Sequence, residues 1–268
     1  MIKDVAWESM ARAHGIVPRS SLADGSRNAI VMYHAVDDPA VPGNLSVERF
    51  REDIETISER YEIADLKTVV ERPKDGRKMV ALTFDDGFVG FFRNVRPVLH
   101  EYGVPATVFV TPGFLDDARR ELLEARHELP ATTGRLVLSE DELAVLADDP
   151  LVTIGNHTRT HPHLSEIDDS ALHDEIVGAK MTLERRFGVE IDRFSYPYGD
   201  YDERAVRLVR AHHDMAVTMR PGLLAADDPM LLPRIGCEGT AYHLQWKLSD
   251  LSYHVQTGVR AVERVMSS

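Results

Sequence analysis

The chain is 268 residues long, 43% hydrophobic and 28% charged, a size and balance that fit one large domain with its own core better than two small ones. Its 31 basic against 44 acidic residues leave a formal charge of −13, which disfavours nucleic acid as the main partner and suits a neutral or cationic substrate. The single cysteine, Cys237, excludes an intramolecular disulfide and reads as buried rather than reactive, and no window approaches the ~18 consecutive apolar residues of a membrane span.

Residues 1–28 mix Lys3, Asp4, Glu8, Arg12 and Arg19 with apolar positions and never build the continuous apolar core of a secretory signal, so the reading is a helical extension on a cytoplasmic protein. Within it, 5–13 is expected to form a short amphipathic helix packed on the end of the domain. The main domain follows over 29–240, and 241–268 reads as a helical tail.

Inside that domain, short apolar runs alternate with helical patterns. The first strand, 29–33, ends at His34, and Ser46 opens a helix over 47–60. A second strand, 79–84, stops at Asp85-Asp86-Gly87, and a helix over 89–102 leads to a third strand at 106–111. The charged stretch 114–138 is open between a loop that shapes a groove and a disordered excursion. Ser139 with Glu142 three positions on has capping-box spacing, starting a helix over 139–147. Strand 151–155 is followed by His157-Thr158-Arg159-Thr160-His161, helix 168–187, strand 193–196, Pro197-Tyr198-Gly199 and helix 203–211. Strand 214–218 precedes Arg220, and the last strand, 232–235, contains Arg234. Seven strands alternating with helices imply a parallel sheet, open or closed into a barrel, and in a barrel all the C-terminal strand ends open on one face, where active sites are built.

The unusual residues fall at those ends. Asp-Asp-Gly alone reads as a turn, and a pair of histidines four apart alone reads as a solvated helix face. Together, an aspartate and two histidines are the usual ligand set of a catalytic zinc with open positions, which points to metal-assisted hydrolysis.

These motifs, TFDDG at 83–87, HTRTH at 157–161 and SYPYG at 195–199, make the chain resemble the polysaccharide deacetylases of carbohydrate esterase family 4, which carry the NodB homology domain. The resemblance covers roughly 29–237. It implies an α/β fold, a distorted (β/α)7 barrel, holding a divalent metal, zinc first and cobalt, nickel or manganese as alternatives. It also implies removal of acetyl groups, N-acetyl before O-acetyl, from a sugar, glycan or glycan precursor. By the same resemblance Asp86, His157 and His161 match the metal ligands and Asp85 the general base. Tyr198 matches the residue whose backbone N–H stabilises the oxyanion, with Pro197 fixing the turn that aims it.

Two departures from the family pattern stand out. Ser195 occupies the position of a common arginine, leaving Arg234 and Arg220 as candidates for orienting Asp85 or binding substrate. The usual late Leu-x-His motif of the general acid is missing, and His243 stands without that context. The run 29–34, Ala-Ile-Val-Met-Tyr-His, is similar to the first strand of a circularly permuted subgroup that includes the poly-N-acetylglucosamine deacetylases, which makes His34 the acid. Imidazole titrates close to neutral pH, as that task requires.

Phe88, Phe114, Tyr198, Tyr201 and Trp246 are candidate stacking platforms for a sugar ring, His163 reads as a loop residue capping the next helix, and His127, His212 and His213 read as surface. Two rival functions remain open at this level. One is a hydrolase of non-sugar amides or cyclic imides on the same barrel, and the other is a glycan-binding protein with a weakened site.

Overall fold

The computed structural model describes residues 27–38, 41, 44–71, 78–131, 134–225, 227–237 and 239–249. The helix expected over 5–13 lies outside them. Eight strands, β1 (Ala29–Tyr33), β2 (Glu62–Ile63), β3 (Met79–Phe84), β4 (Ala106–Val110), β5 (Val152–Asn156), β6 (Arg193–Ser195), β7 (Met215–Pro221) and β8 (Leu232–Gly236), pair in the order β1-β8-β7-β6-β5-β4-β3-β2. Because β1 also pairs with β3, all strands but β2 close into a parallel barrel, and β2 extends it outside β3. The first strand in the chain therefore closes the barrel between the third and the last, as the resemblance to the permuted subgroup implies.

Helices α1 (Val47–Ser58), α2 (Leu66–Glu71), α3 (Arg96–Tyr102), α4 (Arg120–Arg126), α5 (Glu140–Ala147), α6 (Asp169–His173), α7 (Ala179–Phe187), α8 (Glu203–His212) and α9 (Ala241–Lys247) complete the described elements. The patterns expected at 89–102 and 168–187 are continuous, but each includes one wide π turn, Phe91–Val95 before α3 and Asp174–Gly178 before α7. The capping box at Ser139 and Glu142 forms as expected. None of these helices is long and apolar enough to cross a membrane.

The strand sequences explain the closure. Both AIVMY in β1 and MVALTF in β3 are buried throughout, the near-continuous apolar pattern of parallel strands covered on both faces. Ile30, Ala81, Phe109, Val217 and Leu232 form one buried cluster with Leu66 and Val69 of α2. Val31, Leu82, Val108 and Ile154 form another with helical residues such as Ile54, Leu99, Leu143 and Leu183. Each of the larger of these side chains contributes ~1.5–3 kcal/mol on leaving water. Phe109 packs so closely on β5 that a Cβ at Gly155 would stand 2.4 Å from its ring, so only glycine fits there.

Pairing is thinnest at β6, three residues long and joined to β5 through the single register Asn156 with Phe194. The register also shifts between Val217 and Pro221 where β7 meets β8. The turn that carries Tyr198 follows directly on β6.

Candidate active site

The register of β1 and β3 sets the first relationship of the site. Tyr33 lies opposite Phe84, and the Asp85 N–H donates to the Tyr33 carbonyl at 3.0 Å, so the next residues, His34 and Asp85, leave the barrel side by side. Together with Asp86, His157, His161 and Tyr198 they line a cleft of about 390 Å³ at the C-terminal strand ends. Phe88, His127, Tyr196 and Met219 complete much of its wall.

Asp85 and Asp86 are adjacent in sequence but serve different neighbours. Arg234, 1% exposed, reaches Asp85 from β8 with Nη1 donating to Oδ1 at 2.8 Å and Nη2 to Oδ2 at 2.7 Å. The remaining guanidinium hydrogens go to Thr218 O, Thr83 Oγ1 and Ser195 Oγ, at 3.0, 3.3 and 3.2 Å. A buried charge so fully hydrogen-bonded avoids the desolvation cost of an unpaired one. Burial pushes the Asp85 carboxyl up, but the Arg234 guanidinium and the neighbouring His157 and His34 together hold it below the usual carboxylate range. Ser195, standing where the family pattern has arginine, donates to Asp85 Oδ2 at 3.4 Å.

Asp86 turns the other way. Its φ of 71° is left-handed, a conformation uncommon outside glycine that aims the carboxylate at the histidine loop. His157 Nε2 lies 3.3 Å and His161 Nε2 3.4 Å from Asp86 Oδ1, which is buried and accepts no hydrogen bond. The His157 Nδ1–H donates to Ser195 O at 2.8 Å, which leaves Nε2 as the nitrogen turned to Asp86. Two ligands on one zinc at ~2.0–2.1 Å in tetrahedral directions stand ~3.4 Å apart, so the spacing and the unpartnered oxygen fit a divalent cation.

The histidines are brought together by a loop rather than a helix face. Thr158 and His161 are left-handed at φ 65° and 55°, and the His161 N–H donates to Thr158 Oγ1 at 3.0 Å. Glu175 holds the loop from outside by accepting from Thr160 N and Oγ1 at 2.8 and 2.5 Å. Thr111 Oγ1 and Gly113 N in the turn after β4 donate to the carbonyls of His157 and Arg159 at 3.2 and 2.9 Å. A Cβ at Gly113 would fall 2.3 Å from that Arg159 oxygen.

Tyr198 sits in the turn Pro197–Gly199 with φ 56°. Its ring packs edge-on to His161 and stacks on His163 at 4.1 Å, while its hydroxyl donates to Arg126 O at 2.5 Å. Pro197 is buried in the turn and does not line the cleft.

Several expectations need correction. Arg220 is absent from the cleft wall: it is half exposed and donates to Asp227 Oδ1 at 2.7 Å and Leu231 O at 2.9 Å, so its charge is spent on the β7–β8 connection. Phe114 and Trp246 are buried core residues rather than sugar platforms, and Tyr201 packs on Tyr196. His163 makes no capping hydrogen bond to the turn it precedes. The stretch 114–138 carries a 3₁₀ turn, Leu115–Asp117, and helix α4, and its Arg126, His127, Glu128 and Leu129 form one wall of the cleft.

Two histidines expected at the surface are inside. His127 has an 8% exposed side chain beside Asp86. His213, after α8, is 4% exposed and packs on Phe194. Asn156 Nδ2 lies 3.2 Å from His213 Nε2 and donates to Ile176 O at 2.8 Å, while its Oδ1 accepts from Thr158 N at 3.0 Å. His213 thus braces, through Asn156, the loop carrying both histidines. An asparagine ending a buried strand directly before His157 was the available sequence signal. Burial depresses His127 and His161 below the usual imidazole range, so both rings stay neutral near pH 7.

A family model described as polysaccharide deacetylase matches residues 72–217, more than half of the chain. A chitooligosaccharide deacetylase of Bradyrhizobium sp. (strain ANU 289) is 31% identical over 126 residues, covering 46% of this chain and 48% of that protein. A poly-beta-1,6-N-acetyl-D-glucosamine N-deacetylase of Escherichia coli (strain K12) is 23% identical over 241 residues, covering 76% of this chain and 36% of that protein. The chain thus spans about half the length, or less, of these curated relatives. Among solved structures, IcaB from Ammonifex degensii superposes with a TM-score of 0.69 at 17% identity, covering 85% of this chain and 98% of that one, a likeness of fold.

Proposed function

The chain belongs to the polysaccharide deacetylase family, and from that premise we propose that it removes acetyl groups, N-acetyl first, from a sugar, glycan or glycan precursor built on acetamido sugars. The observation that carries the reading is the division of labour between adjacent carboxylates, Asp85 paired with Arg234 and Asp86 with the histidines. The names of two relatives, one acting on chitooligosaccharide and one on poly-β-1,6-N-acetyl-D-glucosamine, support an oligomer of acetylated hexosamine as the substrate class.

Asp86, His157 and His161 would hold a divalent cation, zinc by the nitrogen and oxygen donor set, which when bound supplies Lewis acidity and a lowered pKa for water. Asp85, kept ionised by Arg234, takes the proton of the attacking water. Tyr198 offers its backbone N–H to the carbonyl oxygen as negative charge develops there, a role its left-handed turn suits. His34, beside Asp85, protonates the departing amine. Tyr198 and Met219, 36% and 45% exposed on the cleft wall, give a sugar ring an apolar surface to rest on.

Two variants test the division of labour. Asp85→Asn is expected to keep bound metal while turnover falls ~10²–10⁴-fold, and Asp86→Asn to lose both together. Metal content by elemental analysis beside acetate release reads the difference, and full activity in Asp85→Asn would sink the base assignment.

A further inference from the structure

The family pattern supplies one aspartate and two histidines, and His34 stands beside Asp85, but the cleft holds a further imidazole that none of the motifs contains. His127 follows α4 in the strap formed by 115–131 and 134–138. Its Nδ1 stands 3.8 Å from Asp86 Oδ2, too far for a hydrogen bond, and its ring centroid is 4.5 Å from that of His161. His127, Asp86 and His161 each place a donor atom within 4.8 Å of the other two. The side chain is 8% exposed, and its Nε2 is buried without a hydrogen-bond partner, as are His161 Nδ1 and Asp86 Oδ1.

The ring is held in place. Phe88 and Phe114 pack edge-on against it at 5.6 and 6.2 Å. The strap is tied down around it: Asp117 accepts from Leu136 N and Val137 N at 3.0 and 3.1 Å, Arg120 donates to Gly134 O at 2.8 Å, and Tyr198 Oη donates to Arg126 O. Nδ1 is the His127 nitrogen turned to Asp86, and a cation between it, His161 and the carboxylate would return solvation that the buried ring has lost.

We propose that His127 is a further protein ligand of the divalent cation, so that the strap closes the metal centre as well as walling the cleft. The inference rests on the metal reading above. It means that the protein holds its metal more tightly than Asp86, His157 and His161 alone would.

The test uses the protein loaded with Co²⁺ and, separately, Zn²⁺. In the wild-type Co²⁺ form, proton NMR should show hyperfine-shifted ring signals from three imidazoles. His127→Ala and His127→Gln should lose one set, change the visible Co²⁺ absorption, and weaken Zn²⁺ at least ~10-fold in competition with a chromogenic chelator. Melting of the metal-free variants, expected to match that of the metal-free wild type, separates ligand loss from misfolding. Two imidazoles in the wild type, or unchanged Zn²⁺ affinity in folded variants, would overturn the assignment of His127 and leave the other three ligands standing. A wild-type protein that binds neither ion would overturn both readings together.

Discussion

Arg234 and Asp85, 149 residues apart in the chain, meet end-on inside the barrel through two hydrogen bonds of 2.8 and 2.7 Å. The fork matches both carboxylate oxygens, which fixes the direction in which Asp85 faces the cleft. Arg234→Met removes the partner and leaves a buried carboxylate alone, which should cost ~3–5 kcal/mol of stability and most of the activity. Arg234→Lys keeps the charge without the fork and should fold better than the methionine variant while still losing turnover. Urea unfolding beside kcat/KM checks both, and an active Arg234→Met enzyme would contradict the pairing.

His213 makes stability depend on pH. Burial depresses its pKa to about 3, against 6.5 for the free side chain. Between those values the unfolded chain binds a proton that the folded one refuses, so the stabilisation is complete above pH 6.5 and is lost as pH falls below it. By pH 5 the loss from this group should reach ~2 kcal/mol. Urea midpoints followed from pH 7.5 to 5 should show this slope in the wild type and a shallower one in His213→Asn. Equal slopes would show that another group carries the acid sensitivity.

His34 is assigned the proton for the leaving amine. His34→Ala should therefore slow cleavage of an acetamide ~10²-fold or more and spare an activated aryl acetate, whose leaving group departs unprotonated. Comparable losses on both substrates would assign His34 to orienting Asp85 instead.

Tyr198 acts through its backbone in this account. Tyr198→Phe keeps the N–H and the ring but deletes the bond to Arg126 O, so kcat should stay within ~3-fold while the strap loosens by ~0.5–1.5 kcal/mol. Limited proteolysis within 115–131 should speed up in the variant. A large fall in kcat would mean that the hydroxyl takes part in the reaction.

The barrel was legible because its strands are short apolar runs, each ending at a polar residue with a task. Six of the seven expected strands match to within about two residues at either end, and the seventh runs on through Pro221. What escaped was β2, two residues long, and α2 and α4, whose six and seven residues carry little periodic signal. Asp85, Asp86, His157 and His161 were readable as one cluster because their motifs are local. Arg234 was one of two candidates, and only the β8 register separates it from Arg220, whose guanidinium turns to Asp227. His127 and His213 were misread as surface because each follows a helix with a charged exposed face, and their burial is decided by tertiary contacts with Phe88, Phe114 and Phe194.

The most direct test of the account is acetate release from N-acetylglucosamine oligomers of β-1,4 and β-1,6 linkage, compared between zinc-loaded and chelator-stripped protein. The account predicts acetate from at least one oligomer with the loaded enzyme, its loss on stripping and its return when zinc is added back. No acetate from any acetamido sugar, by a protein that holds its metal and opens a cyclic imide, would contradict it.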